Sequence, residues 1–188
     1  MAPQARVASH TQKPQMSSPA FTELPNIRLV TTGHKSDGTS VFTFDNTLEP
    51  FAPFGPAASR FTNIHMTPGV PASNTAPFPE ITKTLARCPP GGVLFCTTDI
   101  LPGGSAPMHR TLSMDYAVVL SGEIILELNN GDSKTVHTGE VMVQRGANHA
   151  WHNRTKEVCR ILVVMVSTEK ITLEDGRVLE ETVFKKRD

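Results

Sequence analysis

Two short stretches carry the residues best suited to chemistry. The first, GGSAPMHRTLSMDYAVVLSG, sets His109, Thr111 and Asp115 between Gly103 and Gly122. The second, GEVMVQRGANHAWHN, sets His149 and Asn153 behind Gly139 and Gly146. Imidazole nitrogens and a carboxylate are the groups that bind divalent ions and move protons near neutral pH. His109, Asp115 and His149 are therefore the candidate catalytic residues and also the candidate metal ligands. A straight strand would hold His109 and Asp115 about 20 Å apart at about 3.3 Å per residue, so the chain must bend between Thr111 and Asp115 if they act together.

Strand alternation places His149, Trp151 and Asn153 on one face and Ala150 and His152 on the other. With His149 inward, the sole tryptophan is inward too, as one wall of an apolar pocket for a flat substrate or simply as core. Arg145, just before the Gly146 turn, is a candidate anchor for a carboxylate or phenolate, against the plainer reading of a solvated turn arginine. Thr111, Arg145, Trp151 and Asn153 form the expected substrate-binding set. Outside the motifs, His10 falls in the leading segment, His34 and His137 read as surface turn residues, and His65 is the one positioned to reach the mouth of the site.

These stretches resemble the paired motifs of the cupin superfamily. Its first motif runs Gly, five residues, His, one residue, His, three or four residues, Glu, six residues, Gly, and Gly103, His109, Thr111, Asp115 and Gly122 stand at those spacings. Its second ends in Gly, two residues, His, three residues, Asn, which Gly146, His149 and Asn153 reproduce. The chain departs from the pattern where Thr111 replaces the second histidine, Asp115 replaces glutamate and Gln144 replaces proline, and the interval after Gly139 is one residue short. HRT-x-S-x-DY and VQRG-x-NHAW-x-N resemble small single-domain cupins of fungal secondary-metabolite pathways and bacterial catabolic operons, over Pro89 to Val166.

The resemblance implies an all-β fold, a double-stranded β-helix or jelly-roll barrel, in which a bend brings His109 and Asp115 together with His149. That set suits Fe(II), Mn(II) or Zn(II). Because threonine is no substitute for an imidazole ligand, a metal here would keep open positions. The alternative is a metal-free site in which two histidines and an acid transfer protons. Three functions follow: a lyase that dehydrates or decarboxylates a polyketide-like or aromatic oxygenated substrate, an Fe(II)-dependent oxygenase on a similar substrate, and a non-enzymatic ligand-binding cupin. No second domain of DNA-binding type accompanies the motifs, which counts against a regulator.

The elements that must position these residues are short strands. From Gly92 onward GVLFCTTDI, DYAVVL, EIILEL, KTVHT, EVMVQ, HAWHN and VCRILVVMV alternate with turns at Ser121-Gly122, Asn130-Gly131 and Asn153-Arg154, the mark of a sandwich or small barrel. Ahead of them, NIRLVTT and SVFTFD read as two strands around Asp37-Gly38. Glu49 to Pro90 is dense in proline, which excludes a central strand or long helix, and its phenylalanines make it a covering segment over a barrel mouth or dimer surface. A terminal hairpin turns at Asp175-Gly176 and is expected to pair with the early strands or with a second subunit. The expected layout is a disordered lead at 1–22, strands and covering segment at 23–90, and barrel core at 91–188, within a single domain.

At 188 residues, the chain is long enough for a real hydrophobic core. Lysine plus arginine equals aspartate plus glutamate at 18 each, so nothing electrostatic points to nucleic acid or a membrane surface, and a small molecule is the expected partner. Cys88, Cys96 and Cys159 are an odd number without a close pair, and no signal-peptide pattern opens the chain; a reducing, cytoplasmic setting is expected. VCRILVVMV is apolar on both faces and needs cover on each, so a homodimer is expected.

Overall fold

The computed structural model describes residues 21–85 and 87–182, so the part of the expected lead at 1–20 lies outside the described residues. Every regular element among them is a strand, and no helix is long and apolar enough to cross a membrane. The first two strands, β1 (Ile27–His34) and β2 (Ser40–Leu48), form the hairpin anticipated around Asp37-Gly38.

Two antiparallel sheets make the barrel. One has the order β3 (Arg60–Thr67), β4 (Val93–Ile100), β11 (Cys159–Ser167), β6 (Ser113–Ser121), β9 (Val141–Arg145). The other has the order β5 (Ser105–His109), β10 (His149–His152), β7 (Glu123–Leu128), β8 (Ser133–His137). Alternation decides what each strand turns inward: Ser113, Asp115, Ala117 and Val119 of β6 are buried, while Tyr116 and Leu120, at alternate positions, are exposed. Ala117 and Val119 join Ile100, Ile124, Val136, Trp151, Cys159 and Ile161 in the core between the sheets. Each aliphatic side chain so buried contributes about 1.5–3 kcal/mol before entropy is counted.

Two strands depart from the sequence reading. β3 lies within the proline-rich segment, in the window between Pro56 and Pro68, and β5 carries Pro107. Both are edge strands, the position where a missing ladder donor is tolerated, so proline density ruled out a central strand there and not an edge strand. The rest of the segment does cover the sheet. Asn63 of β3 donates its amide to the carbonyls of Thr82 and Thr84, and Phe78 stacks on Phe44 of β2.

The last two strands, β12 (Ile171–Thr172) and β13 (Val178–Leu179), turn at Asp175-Gly176 but pair only with each other among the described residues. The expected pairing with the early strands is not formed among the described residues. Instead Thr182 and Arg110 exchange hydrogen bonds, which ties this tail to the link between β5 and β6. At the opposite end Arg160 grips Asp99 in a buried two-point ion pair, 2.7 and 2.6 Å, and donates to the carbonyl of Pro25, fastening the N-terminal segment to β11.

Gly122 is the corner where the chain leaves one sheet for the other. Its φ is +72°, and a Cβ there would lie 2.9 Å from the carbonyl oxygen of Val158. Gly122→Ala therefore meets both a left-handed backbone and an immovable neighbour. A loss of about 2 kcal/mol in unfolding free energy is expected by denaturant melt; an unchanged midpoint would show that the corner relaxes freely.

Candidate active site

The bend demanded by the first motif falls at residues 110–112, where β5 ends in one sheet and β6 begins in the other. β10 pairs with β5 in a register that sets His149 directly opposite His109. Their rings lie 4.3 Å apart between centroids, tilted by 49°. Asp115 comes in from β6 in the facing sheet, close enough for the charge of His109 to favour its ionised form.

Both imidazoles are held in the same way. His109 Nδ1 lies 2.7 Å from the carbonyl of Pro107, and His149 Nδ1 lies 2.9 Å from the carbonyl of Ala147, each two residues back along the chain. A carbonyl accepts only, so Nδ1 carries a proton in each ring and donates it to the backbone. His149 is 2% exposed and is braced edge-on by Trp151 at 5.5 Å between centroids. Burial first, then the nearby charge of His109, lowers its pKa from 6.5 to about 4, so this ring is neutral at pH 7.

Asp115 is buried, and burial pushes its carboxyl above the usual aspartate range. Hydrogen bonds oppose this. Ser113 Oγ donates to Oδ1 at 2.5 Å, Thr111 Oγ1 donates to Oδ2 over a long 3.4 Å, and the amide of Gln144 donates as well. The Gln144 amide nitrogen also stands 3.3 Å from His149 Nε2. Gln144 and Asp115 are paired across β6 and β9, and both point inward.

Two imidazoles anchored through Nδ1 to backbone carbonyls are of the ligand type that suits a divalent ion. Among the described residues, however, no group of three or more His, Cys, Asp or Glu side chains is arranged to hold a metal. The predicted triad of His109, Asp115 and His149 is thus a close histidine pair with an acid whose oxygens already accept from Ser113, Thr111 and Gln144. By the chemistry of their donors, His109 and His149 are the residues that would hold an ion.

The predicted substrate-binding residues divide. Thr111 reaches Asp115. Trp151 belongs to the core and buttresses His149. Asn153 is fully buried with its side chain committed: Nδ2 donates to the carbonyls of Ile100 and Glu157, and Oδ1 accepts from the amide and hydroxyl of Thr155. No donor or acceptor remains for a substrate, so its role is to fix the turn after β10. Arg145 is exposed on the outer face of β9, opposite Met114, and is not brought to the site. Its place near the second motif is taken by Arg110, whose Nε donates to the carbonyl of Gly146. His152 turns outward to Ser105 and Glu127, and His65 packs on Phe78.

Ser113 and Gln144 were missed as members of the site. The available signal was a polar residue at an inward position of an otherwise apolar strand: Ser113 is two before Asp115, and Gln144 two after Met142. A cavity of about 350 Å³ lies elsewhere, between β2 and the proline-rich segment, with Phe44, Leu48, Phe51, Phe78 and Ile81 among its walls; neither motif histidine borders it.

Residues 97–165 match the family model described as Cupin domain. The chain is 36% identical over 157 residues to the phomopsin biosynthesis cluster protein C' of Diaporthe leptostromiformis, covering 79% of this chain and 82% of that one. It is 30% identical over 182 residues to the oryzines biosynthesis cluster protein J of Aspergillus oryzae, covering 89% and 97%. A more distant relative, at 28% over 151 residues and 77% of each chain, is the cupin-domain-containing oxidoreductase virC of Hypocrea virens. With both motifs meeting inside a two-sheet barrel and relatives of this kind along most of its length, the chain belongs to the cupin superfamily.

Proposed function

We propose that this cupin is a lyase of secondary metabolism that removes water or carbon dioxide from a polyketide-like or aromatic oxygenated substrate. The observation that carries this reading is Asp115, a buried carboxyl whose pKa is raised by burial and which lies across the barrel from two histidines. A raised pKa brings a carboxyl nearer to the pH at which it can both take and return a proton. In a dehydration Asp115 takes the proton beside a carbonyl, the carbon–oxygen bond of the neighbouring hydroxyl breaks, and His109 hands over the proton with which water leaves. In a decarboxylation the carbon–carbon bond breaks, carbon dioxide leaves, and protonated Asp115 returns a proton to the carbon. His149, neutral and fixed by Ala147 and Trp151, orients the substrate oxygen. A divalent Fe, Mn or Zn ion held by His109 and His149 would add Lewis-acid polarisation of a carbonyl oxygen.

A second reading has its own support. The relative in Hypocrea virens is named an oxidoreductase, and two histidines with a carboxylate nearby suit Fe(II) with open positions for dioxygen. Dioxygen separates the two. Incubated under argon with a panel of β-hydroxy and β-keto carbonyl compounds, the protein is expected to release water or carbon dioxide, and Asp115→Asn to lose at least 100-fold of that turnover with folding intact. Turnover only in air would transfer the site to the oxygenase, and full activity in Asp115→Asn would move the acid–base role to the histidines.

The protonation states can be read from stability. His149 is ordinarily protonated below about pH 6.5 when unfolded but only below about 4 when folded, so between those values the unfolded chain binds more protons. Stability from this group is complete above pH 6.5 and is lost as pH falls toward 4, by about 3 kcal/mol in all. Asp115, raised in the fold, works the other way and favours the folded state at low pH. Denaturant melts from pH 7 to pH 4 are expected to show a smaller loss in His149→Gln than in the parent protein. Parallel curves would mean that His149 is protonated alike in both states.

We also propose a homodimer, seated on the outer face of β6, β9 and β11. Tyr116, Leu120, Val141 and Val143 are exposed there, Val141 by 75% and Val143 by 56%, and Leu162, Val164 and Val166 of β11 share that face. Light scattering is expected to give twice the chain mass at micromolar concentration, and Val143→Glu to halve it. A monomeric parent protein would remove the proposal.

A further inference from the structure

Gln144 is 8% exposed, and its Oε1 is buried without a hydrogen-bond partner in the structure. An orphaned carbonyl oxygen of this kind costs about 1–3 kcal/mol and calls for an explanation. The nitrogen end of the same amide is crowded with acceptors. It stands 3.3 Å from His149 Nε2, whose lone pair faces it because Nδ1–H is given to Ala147, and it also donates to the Asp115 carboxylate. One NH₂ group thus sits between a carboxylate and an imidazole lone pair, where a cation would be attracted. In the cupin motif this position is a proline, which has no polar side chain.

Resting on the metal-assisted reading of the site, we infer that Gln144 supplies the third protein ligand of a divalent ion: its amide turns over when the ion enters, and Oε1 joins His109 Nε2 and His149 Nε2. Distance supports the exchange. Two ligand atoms about 2.1 Å from one ion lie about 3.0 Å apart at an octahedral edge and about 3.4 Å apart at a tetrahedral one. The 3.3 Å between the Gln144 amide nitrogen and His149 Nε2 falls within that range, so a half-turn of the amide puts oxygen at a coordination edge without moving the backbone. Amide oxygen and nitrogen are nearly equal in size, so the turn needs little extra room. Without the ion, oxygen at that place would face two acceptors, and the nitrogen-inward orientation is the stable one. Asp115 keeps its bonds from Ser113 and Thr111 and remains available for proton transfer.

The test is titration of the full chain with Co(II), followed by calorimetry and by the visible ligand-field spectrum, which reports coordination independently of any activity. The parent protein is expected to bind, His109→Ala and His149→Ala to lose binding, and Thr111→Ala to retain it. Gln144→Glu, which offers an oxygen in either orientation, is expected to bind at least tenfold tighter with a similar spectrum; Gln144→Leu is expected to bind at least tenfold more weakly with a changed one. Circular dichroism checks the fold of each variant. If the parent protein binds and Gln144→Leu matches it in affinity and spectrum, the role of Gln144 is refuted while the metal reading stands. If the parent protein binds no Co(II), the metal reading falls and this inference with it.

Discussion

The site depends on one pairing, the antiparallel ladder between β5 and β10. It sets His149 opposite His109, and β7 on the other flank of β10 pins the same residue against Leu128. Side chains alternate along a strand, so a slip of one residue would turn His149 and Trp151 outward and bring Ala150 and His152 in. The core enforces the register, because Trp151 is packed among Ile124, Val136 and Ile161 and has no comparable place outside. Hydrophobic burial thereby sets the spacing of two imidazoles that contribute little to it themselves.

Around that pair, each polar group is tuned by what it faces. The two backbone carbonyls fix the tautomers, burial keeps His149 neutral, and burial raises Asp115 against the pull of its hydrogen bonds. The replacements that distinguish this chain from the family pattern converge on one corner. Thr111, in the place of a histidine, and Gln144, in the place of a proline, both donate to Asp115, as does Ser113. What would be a ligand-rich cage in the usual pattern is here a histidine pair beside a hydrogen-bonded acid.

The strands of the barrel and the division of β10 into inward and outward residues were legible in the sequence, and so was the need for a bend in the first motif, which the structure sets at residues 110–112 rather than wholly after Thr111. Period-two alternation and turn glycines are local signals, and each records a constraint that the residue itself feels. Where the local signal was a prohibition, it misled: prolines hid β3 and β5 because a missing donor matters only if another strand lies on that side, and sheet position is not a local property. Of the two readings of Arg145, the solvated one stands. Its neighbourhood in the chain was right, but strand alternation sends it to the opposite face from Gln144.

The sequence by itself determined the residue types, the sheet-forming periods and the two glycine-bounded motifs, because these follow from backbone geometry and side-chain chemistry within a few residues. Only the tertiary structure decided which polar groups are spent and which are free to act. Asn153 and Asp115 look alike in sequence as buried polar residues of the two motifs. The fold commits every donor and acceptor of Asn153 to a turn, while it leaves Asp115 between hydroxyls, an amide and an imidazole. Hydrogen-bond satisfaction and desolvation depend on which distant strands close over a group, and in this barrel those partners come from strands far apart along the chain.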